Sequence, residues 1–334
     1  MMQVVEVARR GGAEDLHLEE QEEAQPGPGQ LLIKVKAVSI HAFDSNIQGR
    51  VLGYDVAGVV EEVGSGVVDF KVGDEVWSYL GGGKDNHAYA ESVCAAAEFV
   101  SRKPVNLSFV EAAAVPTLGI TAYEAVLHKA RLKAGQAALV TGGSGPLGSM
   151  IIQLCRHCGA NPILATAGSE RSYRELTDHL GLSPENVIAY RERSLDDLQQ
   201  QIQSLTQGHD LAAAFDLVGH RLSQLCFRSI GFGGAVVSVL DQPTDVAEGA
   251  SNWLFGKSAS LHVQFTGARI HFGEPRHWPT YRQVLDQLRV LFEEGHLKAP
   301  KVCDLGGFSE ASIRGAHELR PHGDALGQLV VRFP

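Results

Sequence analysis

Residues 143–148 read Gly-Ser-Gly-Pro-Leu-Gly. This GxGxxG spacing suits close approach of a backbone to a charged ligand. A short apolar run, Ala137–Val140, leads into it, and a helical pattern opens at Pro146. In that setting Gly143 makes the tight turn, Gly145 admits a pyrophosphate where a side chain would collide, and Gly148 lets the helix pack on the sheet. Pro146 falls on the first helical position, where its missing N–H costs little. Ser144 and Leu147 complete the loop, whose free N–H groups face the phosphates. An NAD site places Asp or Glu about twenty residues downstream, on the ribose hydroxyls. Here the second strand ends in Thr166-Ala-Gly-Ser169, followed by Glu170, Arg171 and Arg174. With no acid at the strand tip and two arginines beside it, a 2′-phosphate is the better partner, and the pattern predicts NADP(H).

A second constellation is discounted. Cys155-Arg-His-Cys158 imitates a metal or redox CxxC, yet Leu147, Ile151, Leu154, Cys155 and Cys158 recur at helical spacing. Both cysteines are therefore expected on the inner face of one helix. Five cysteines in 334 residues make no disulfide framework, which fits a reducing cytoplasm.

The elements that must position the loop follow from the pattern. The first 125 residues alternate short apolar runs with turns, including Leu31–Val38 and Asp55–Val63, the mark of a barrel-like domain. Gly81-Gly-Gly-Lys84 lacks a preceding strand and a following hydroxyl, so it reads as a turn and not a phosphate loop. From residue 126 strands alternate with helices. Strands are expected at Ala137–Val140, within 161–166, at Val187–Tyr190, Leu211–Phe215 and Ala235–Leu240, and helices from Pro146, over Tyr173–Leu180 and over Leu195–Leu205. That grammar means βαβ units around a parallel sheet. Beyond residue 265, with an amphipathic helix over Tyr281–Glu294, the chain rejoins the first domain. The expected organisation is 1–125 and 265–334 as one domain around 126–264. The formal charge of −10 comes from 29 basic and 39 acidic residues without a basic arm, which argues against a nucleic-acid partner. No signal peptide and no membrane-spanning run is read.

The landmarks Gly53-Tyr-Asp-Val-Ala-Gly-Val-Val60, Val72-Gly-Asp-Glu-Val76, Ala113-Ala-Val-Pro116, Thr121-Ala-Tyr123, the glycine loop and Asp216-Leu-Val-Gly219 occur in this order. In them the chain resembles the medium-chain dehydrogenase/reductase superfamily, and within it the zinc-free, zeta-crystallin-like quinone oxidoreductases. The resemblance implies an α/β fold: a Rossmann-type doubly wound parallel sheet plus a GroES-like, mostly-β barrel domain. It also implies NADPH-dependent reduction of quinones or activated enones, and a homodimer. By position, the cofactor residues fall on Thr121, the 143–148 loop, Ser169, Arg171 and Tyr190, the last three toward the 2′-phosphate. Gly219 falls near the adenosine, Leu240 near the nicotinamide, and Phe265 and Gly267 near its carboxamide. In zinc-dependent relatives the three ligands match His41, Tyr54 and Thr117. Only His41 binds zinc readily, so no metal site is expected. Asp44 and Asp55 are the other acids at hand. Two departures stand out: His41-Ala-Phe-Asp44 replaces the relatives' Asn-Pro-x-Asp, and the segment from Asp44 to Gly53 is short.

The expected chemistry is hydride transfer to an electron-poor acceptor, in which the protein positions the reactants and excludes water. The developing oxyanion needs a donor. Tyr54, His41 and water are the candidates, with Asp44 orienting His41 or a ribose hydroxyl. His87 and Tyr89 are read as surface residues of a turn. An alkenal or enoyl double-bond reductase shares every one of these features except the acceptor. A non-catalytic NADPH-binding sensor or structural protein would keep the loop and lose turnover.

Overall fold

The computed structural model describes residues 1–7, 16–41, 52–81, 88–241, 250–319 and 327–334. They form two compact units, residues 1–120 with 266–334 and residues 121–265. Asp44, His87 and positions 82–84 of the Gly81 turn lie outside the described residues. In chain order the strands are β1 (Met2–Val7), β2 (Leu16–Gln21), β3 (Gln30–Ile40), β4 (Asp55–Val63), β5 (Glu75–Tyr79), β6 (Ser92–Ala96), β7 (Val100–Arg102) and β8 (Ala137–Val140). They continue as β9 (Ile163–Ala167), β10 (Val187–Ala189), β11 (Leu211–Asp216), β12 (Ile230–Ser238), β13 (Ser260–Val263), β14 (Val302–Gly307) and β15 (Gln328–Arg332).

In the unit 121–265 the strands run in the order β10-β9-β8-β11-β12-β13, with every neighbouring pair parallel. β8 and β9 are buried along their whole length, as parallel strands covered on both faces must be. This is why they read as continuous apolar runs with no alternation. The order reverses at β8: β9 and β10 lie to one side, β11 to β13 to the other. Such a switch point opens a crevice beyond the carboxyl ends of the strands, where ligands of doubly wound sheets bind. The glycine loop leaves β8 at that point.

In the other unit the sheet order is β14-β15-β3-β4-β5-β7, with β6 also pairing β3, while β1 and β2 form a separate hairpin. β3 is the central element. It pairs β4, β6 and β15 antiparallel, with irregularities at Leu32/Ile33 and Val35/Ala37. Such bulges bend a strand and strengthen its twist. The partner strand answers with Gly58, where a Cβ would stand 2.1 Å from the Lys34 carbonyl oxygen. Leu31, Ile33, Val35, Val56, Val60 and Val331 fill the core. The helix Pro279–Glu293 buries Tyr281, Val284, Leu285, Leu288 and Phe292, the stripe its periodicity predicts.

Four expectations need correction. Cys155 is fully buried, but Cys158 is the half-buried C-cap of the helix Pro146–His157. The helix expected over 173–180 begins earlier, at Glu170, and its second part, Glu175–His179, is π-helical. β12 starts at Ile230 and ends at Ser238, leaving Leu240 beyond the strand. Tyr89 is not a surface residue: it is fully buried, its ring edge-on to His317 and its hydroxyl 3.2 Å from His317 Nε2. Among the described residues no helix is long and apolar enough to cross a membrane.

Candidate functional site

The glycine loop is built by sterics that the sequence pattern assigns slightly differently. Gly142, not Gly143, takes the left-handed conformation (φ +68°) that turns the chain. At Gly143 a Cβ would press on Ile152, Ala165 and Leu176 at 2.9–3.2 Å, so this glycine lets the helix sit on the sheet. Gly148 backs directly onto the turn: a Cβ there would lie 2.3 Å from the Gly142 carbonyl oxygen and 2.6 Å from Gly143 Cα. Gly145 differs from its neighbours. Its backbone is extended (φ −78°, ψ 166°), and among the described residues a Cβ would meet nothing closer than the Gly142 oxygen at 3.4 Å. Neither conformation nor packing among the described residues requires glycine there. Gly145 is also the N-cap of the twelve-residue helix from Pro146, with no side-chain cap bond. The first-turn N–H groups, those of Leu147 and Gly148 among them, have no intrahelical acceptor. An open glycine at an uncapped helix start fits a diphosphate.

The neighbouring strand ends complete this edge. Thr141 Oγ1 donates to the Phe215 carbonyl at 3.1 Å and accepts from Leu217 N at 3.1 Å. Asp216, fully buried at the end of β11, accepts from Gly219 N at 3.1 Å, Ser223 Oγ at 2.5 Å and Ser238 Oγ at 3.4 Å. These bonds hold the turn 217–220, in which Gly219 has φ +89°. A Cβ on Gly219 would reach Leu240 Cδ1 at 3.1 Å, so two predicted cofactor residues are brought together. Sequence reasoning missed the roles of Thr141, Asp216, Ser223 and Ser238. The available signal was a hydroxyl or carboxylate at the end of each of three neighbouring strands, Thr141, Asp216 and Ser238.

At the tip of β9, Ser169 caps the next helix by accepting from Ser172 N at 3.1 Å. Arg171 and Arg174 are both exposed. Glu170 points outward along the helix to Arg174 at 2.9 Å, so its carboxylate does not turn back over the strand end. The Tyr190 hydroxyl stands over Gly168, 2.7 Å from where a Cβ would be. Arg221 Nη1 holds the Tyr190 carbonyl at 3.3 Å. Gly168, Ser169 and Tyr190 thus form one corner. Thr121 is buried in the helix Pro116–Tyr123, and Phe265 is about half exposed just after β13. Gly267, in the other unit, is the N-cap of a short helix, Ala268–His271. The two thiols of the CxxC are both pushed up by burial, Cys155 the more strongly, which suppresses the thiolate that redox or metal chemistry needs. A cavity of about 380 Å³ lined by Gln136, Asn161, His209, Asp210 and Phe232 lies at the amino ends of the strands, the edge opposite the loop.

In the other unit His41, Asp55 and Thr117 meet. His41 Nε2 is 2.9 Å from Asp55 Oδ2 and 2.9 Å from Ser39 Oγ. Asp55 also accepts from Thr117 N at 2.8 Å and Thr117 Oγ1 at 2.7 Å. All three residues are buried. A carboxylate only accepts, so the bond assigns the His41 proton to Nε2. Nδ1 then faces the Gln328 amide nitrogen at 3.5 Å. Tyr54 stacks on Tyr79, ring centroids 6.2 Å apart, and is buried. Of the zinc-ligand positions only His41 bears a good ligand, and its Nε2 is already committed to Asp55. The donor set does not fit a zinc ion.

Comparison with known proteins matches this architecture. The alcohol dehydrogenase GroES-like domain model covers residues 27–121, and the zinc-binding dehydrogenase model covers residues 146–285. The chain is 33% identical over 319 residues to a 2-methylene-furan-3-one reductase of Solanum lycopersicum, covering 90% of this chain and 71% of that protein. It is equally similar, 33% over 319 residues, to a chloroplastic NADPH-dependent alkenal/one oxidoreductase of Arabidopsis thaliana, covering 90% and 72%. Among solved structures, an alcohol dehydrogenase superfamily protein from Novosphingobium aromaticivorans superposes with a TM-score of 0.86 at 25% identity over 99% of both chains. A mycobacterial quinone oxidoreductase shares the fold, with a TM-score of 0.83 at 24% identity over 99% and 100%. The fold is thus a Rossmann-type sheet with a GroES-like domain, shared with oxidoreductases. The chain belongs to the medium-chain dehydrogenase/reductase superfamily.

Proposed function

We propose that this protein is an NADPH-dependent reductase of conjugated carbonyl compounds, quinones or α,β-unsaturated aldehydes and ketones, working without zinc. The observation that carries the reading is the open Gly145 at an uncapped helix start beneath the switch point of the sheet. Among the described residues nothing in the packing requires a glycine at that position, whereas a bound diphosphate does. The activities for which the two plant relatives are named, a furanone reductase and an alkenal/one oxidoreductase, favour the unsaturated carbonyl. The quinone remains the second reading, because its acceptor system is the same conjugated carbonyl.

The Gly142–Gly148 turn would hold the diphosphate, and Ser169, Arg171 and Tyr190 the 2′-phosphate. Arg174, in an exposed pair with Glu170, would add positive charge beside them. Gly219 and Leu240 would line the adenosine-to-nicotinamide path, with Thr121 and Phe265 toward the nicotinamide. The nucleotide supplies hydride when bound. The protein's share is to fix the reactants and shut out water. His41, with Nε2–H turned to a buried carboxylate, acts as a structural latch, and the final proton comes from water or from the Tyr54 hydroxyl. Purified protein assayed with NADPH against a panel of enones, alkenals and quinones is expected to consume NADPH fastest with the unsaturated ketones and aldehydes. Binding without turnover across the panel would support the non-catalytic reading.

The phosphate corner makes its own prediction. Arg171→Ala removes a charge-assisted contact to phosphate, so the KM for NADPH is expected to rise roughly 10- to 100-fold with that for NADH little changed. Steady-state kinetics with both nucleotides checks this, and equal effects on the two would remove the assigned role.

A further inference from the structure

A buried acid in the nucleotide-binding unit has no part in the scheme above. Glu124 begins the π-helical segment Glu124–Ala130 that continues the helix Pro116–Tyr123. Its side chain is only 3% exposed, as is that of Gln264. Gln264 Nε2 donates to Glu124 Oε2 at 2.6 Å. The backbone N–H of Gln264 donates to the Ser238 carbonyl at 2.8 Å, at the end of β12, and Ser238 Oγ accepts from Leu240 N at 3.3 Å. From the same π-helical segment Lys129 Nζ reaches the Val263 carbonyl at 2.8 Å. Burying a carboxylate is costly, and π-turns inside helices concentrate at functional sites. Here the wider turn and the buried acid serve one end: they tie a helix to the carboxyl end of β13.

What the tie positions is specific. Thr121 lies one turn before Glu124 on the same helix, and Phe265 directly follows Gln264. Leu240 hangs from the Ser238 that anchors Gln264. We infer that Glu124 and Gln264 are a positioning pair, a hydrogen-bonded clasp that fixes the nicotinamide end of the nucleotide groove. The inference rests on the NADPH-binding reading of this unit. Neither residue touches the phosphate corner at Ser169, Arg171 and Tyr190, so the clasp governs one end of the ligand and not the other.

The test uses two probes on the full chain: NADPH, which needs both ends, and 2′,5′-ADP, which needs only the phosphate corner. Glu124→Leu and Gln264→Leu are each expected to weaken NADPH binding roughly tenfold while leaving 2′,5′-ADP binding within about twofold. The double variant should be no weaker than either single one, as residues acting through one bond are not additive. Glu124→Gln retains an oxygen acceptor and should restore NADPH binding to within about threefold of the unaltered protein. Should a leucine variant not fold, Glu124→Asp, which withdraws the carboxylate by one methylene, is expected to show the same NADPH-selective loss. Equal weakening of both probes, or no weakening of either, would overturn the clasp. If the unaltered protein bound neither probe, the NADPH reading itself would fall, a result distinguishable from failure of the pair alone.

Discussion

Gly145→Val is expected to leave the protein folded and to weaken NADPH binding on the order of 100-fold or more. The two halves of that expectation have separate causes. The extended backbone at residue 145 is one that valine adopts readily, and among the described residues the atom nearest to a Cβ is the Gly142 oxygen at 3.4 Å. Replacing glycine by an apolar residue at an N-cap costs about 1 kcal/mol, a small part of a typical domain's stability. The added isopropyl group, however, occupies the place where a diphosphate would lie against the helix start. Thermal unfolding and nucleotide fluorescence on the same preparation read the two effects apart. The contrast is Gly148, where a Cβ would drive into the turn itself at 2.3 Å, so loss of binding there would carry no information about a ligand.

The second large effect is on stability. Asp55→Ala is expected to destabilise the protein by about 3–5 kcal/mol, the usual result of removing one partner of a buried pair. The carboxylate of Asp55 receives the Nε2–H of His41, the N–H of Thr117 and its hydroxyl, and each of these is buried. Alanine removes the buried carboxylate that all three share. Asp55→Asn should cost less, because an amide oxygen still accepts from Thr117 while its nitrogen opposes His41. Urea unfolding checks the order, Ala the more destabilising and Asn intermediate. A cost below about 1 kcal/mol for Asp55→Ala, the range of an exposed pair, would show that the cluster is not the latch described.

Much of this molecule is legible in the amino-acid sequence, and the reasons are physical. The spans of Ala137–Val140, Leu195–Leu205 and Asp55–Val63 are read correctly to the residue. The first is a four-residue apolar run in a buried parallel strand. The second opens with a Ser194–Asp197 capping box, and turn residues follow the third. Where the reading slipped, short-range pattern competed with geometry. Cys158 has helical spacing but the helix stops at His157. Gly142 and Gly143 are adjacent and chemically identical, so only backbone coordinates show which one turns and which one packs. The glycine loop was legible because sterics leave few residue types for it. The latch at Asp55 and the clasp at Glu124 were not. Asp55 finds Thr117 across 62 positions and Glu124 finds Gln264 across 140, and nothing local marks either acid as buried. Tyr89 was misread for the same reason, since its partner His317 is 228 positions away.

The central claim is that the turn between β8 and the helix Pro146–His157 cradles the diphosphate of NADPH. Its most direct test is an equilibrium titration of the unaltered protein with NADPH, and in parallel with NADH, followed by nucleotide fluorescence. The account predicts saturable binding of NADPH, tighter than that of NADH and lost in Gly145→Val. Failure to take up either nucleotide, or undiminished uptake by Gly145→Val, would contradict it.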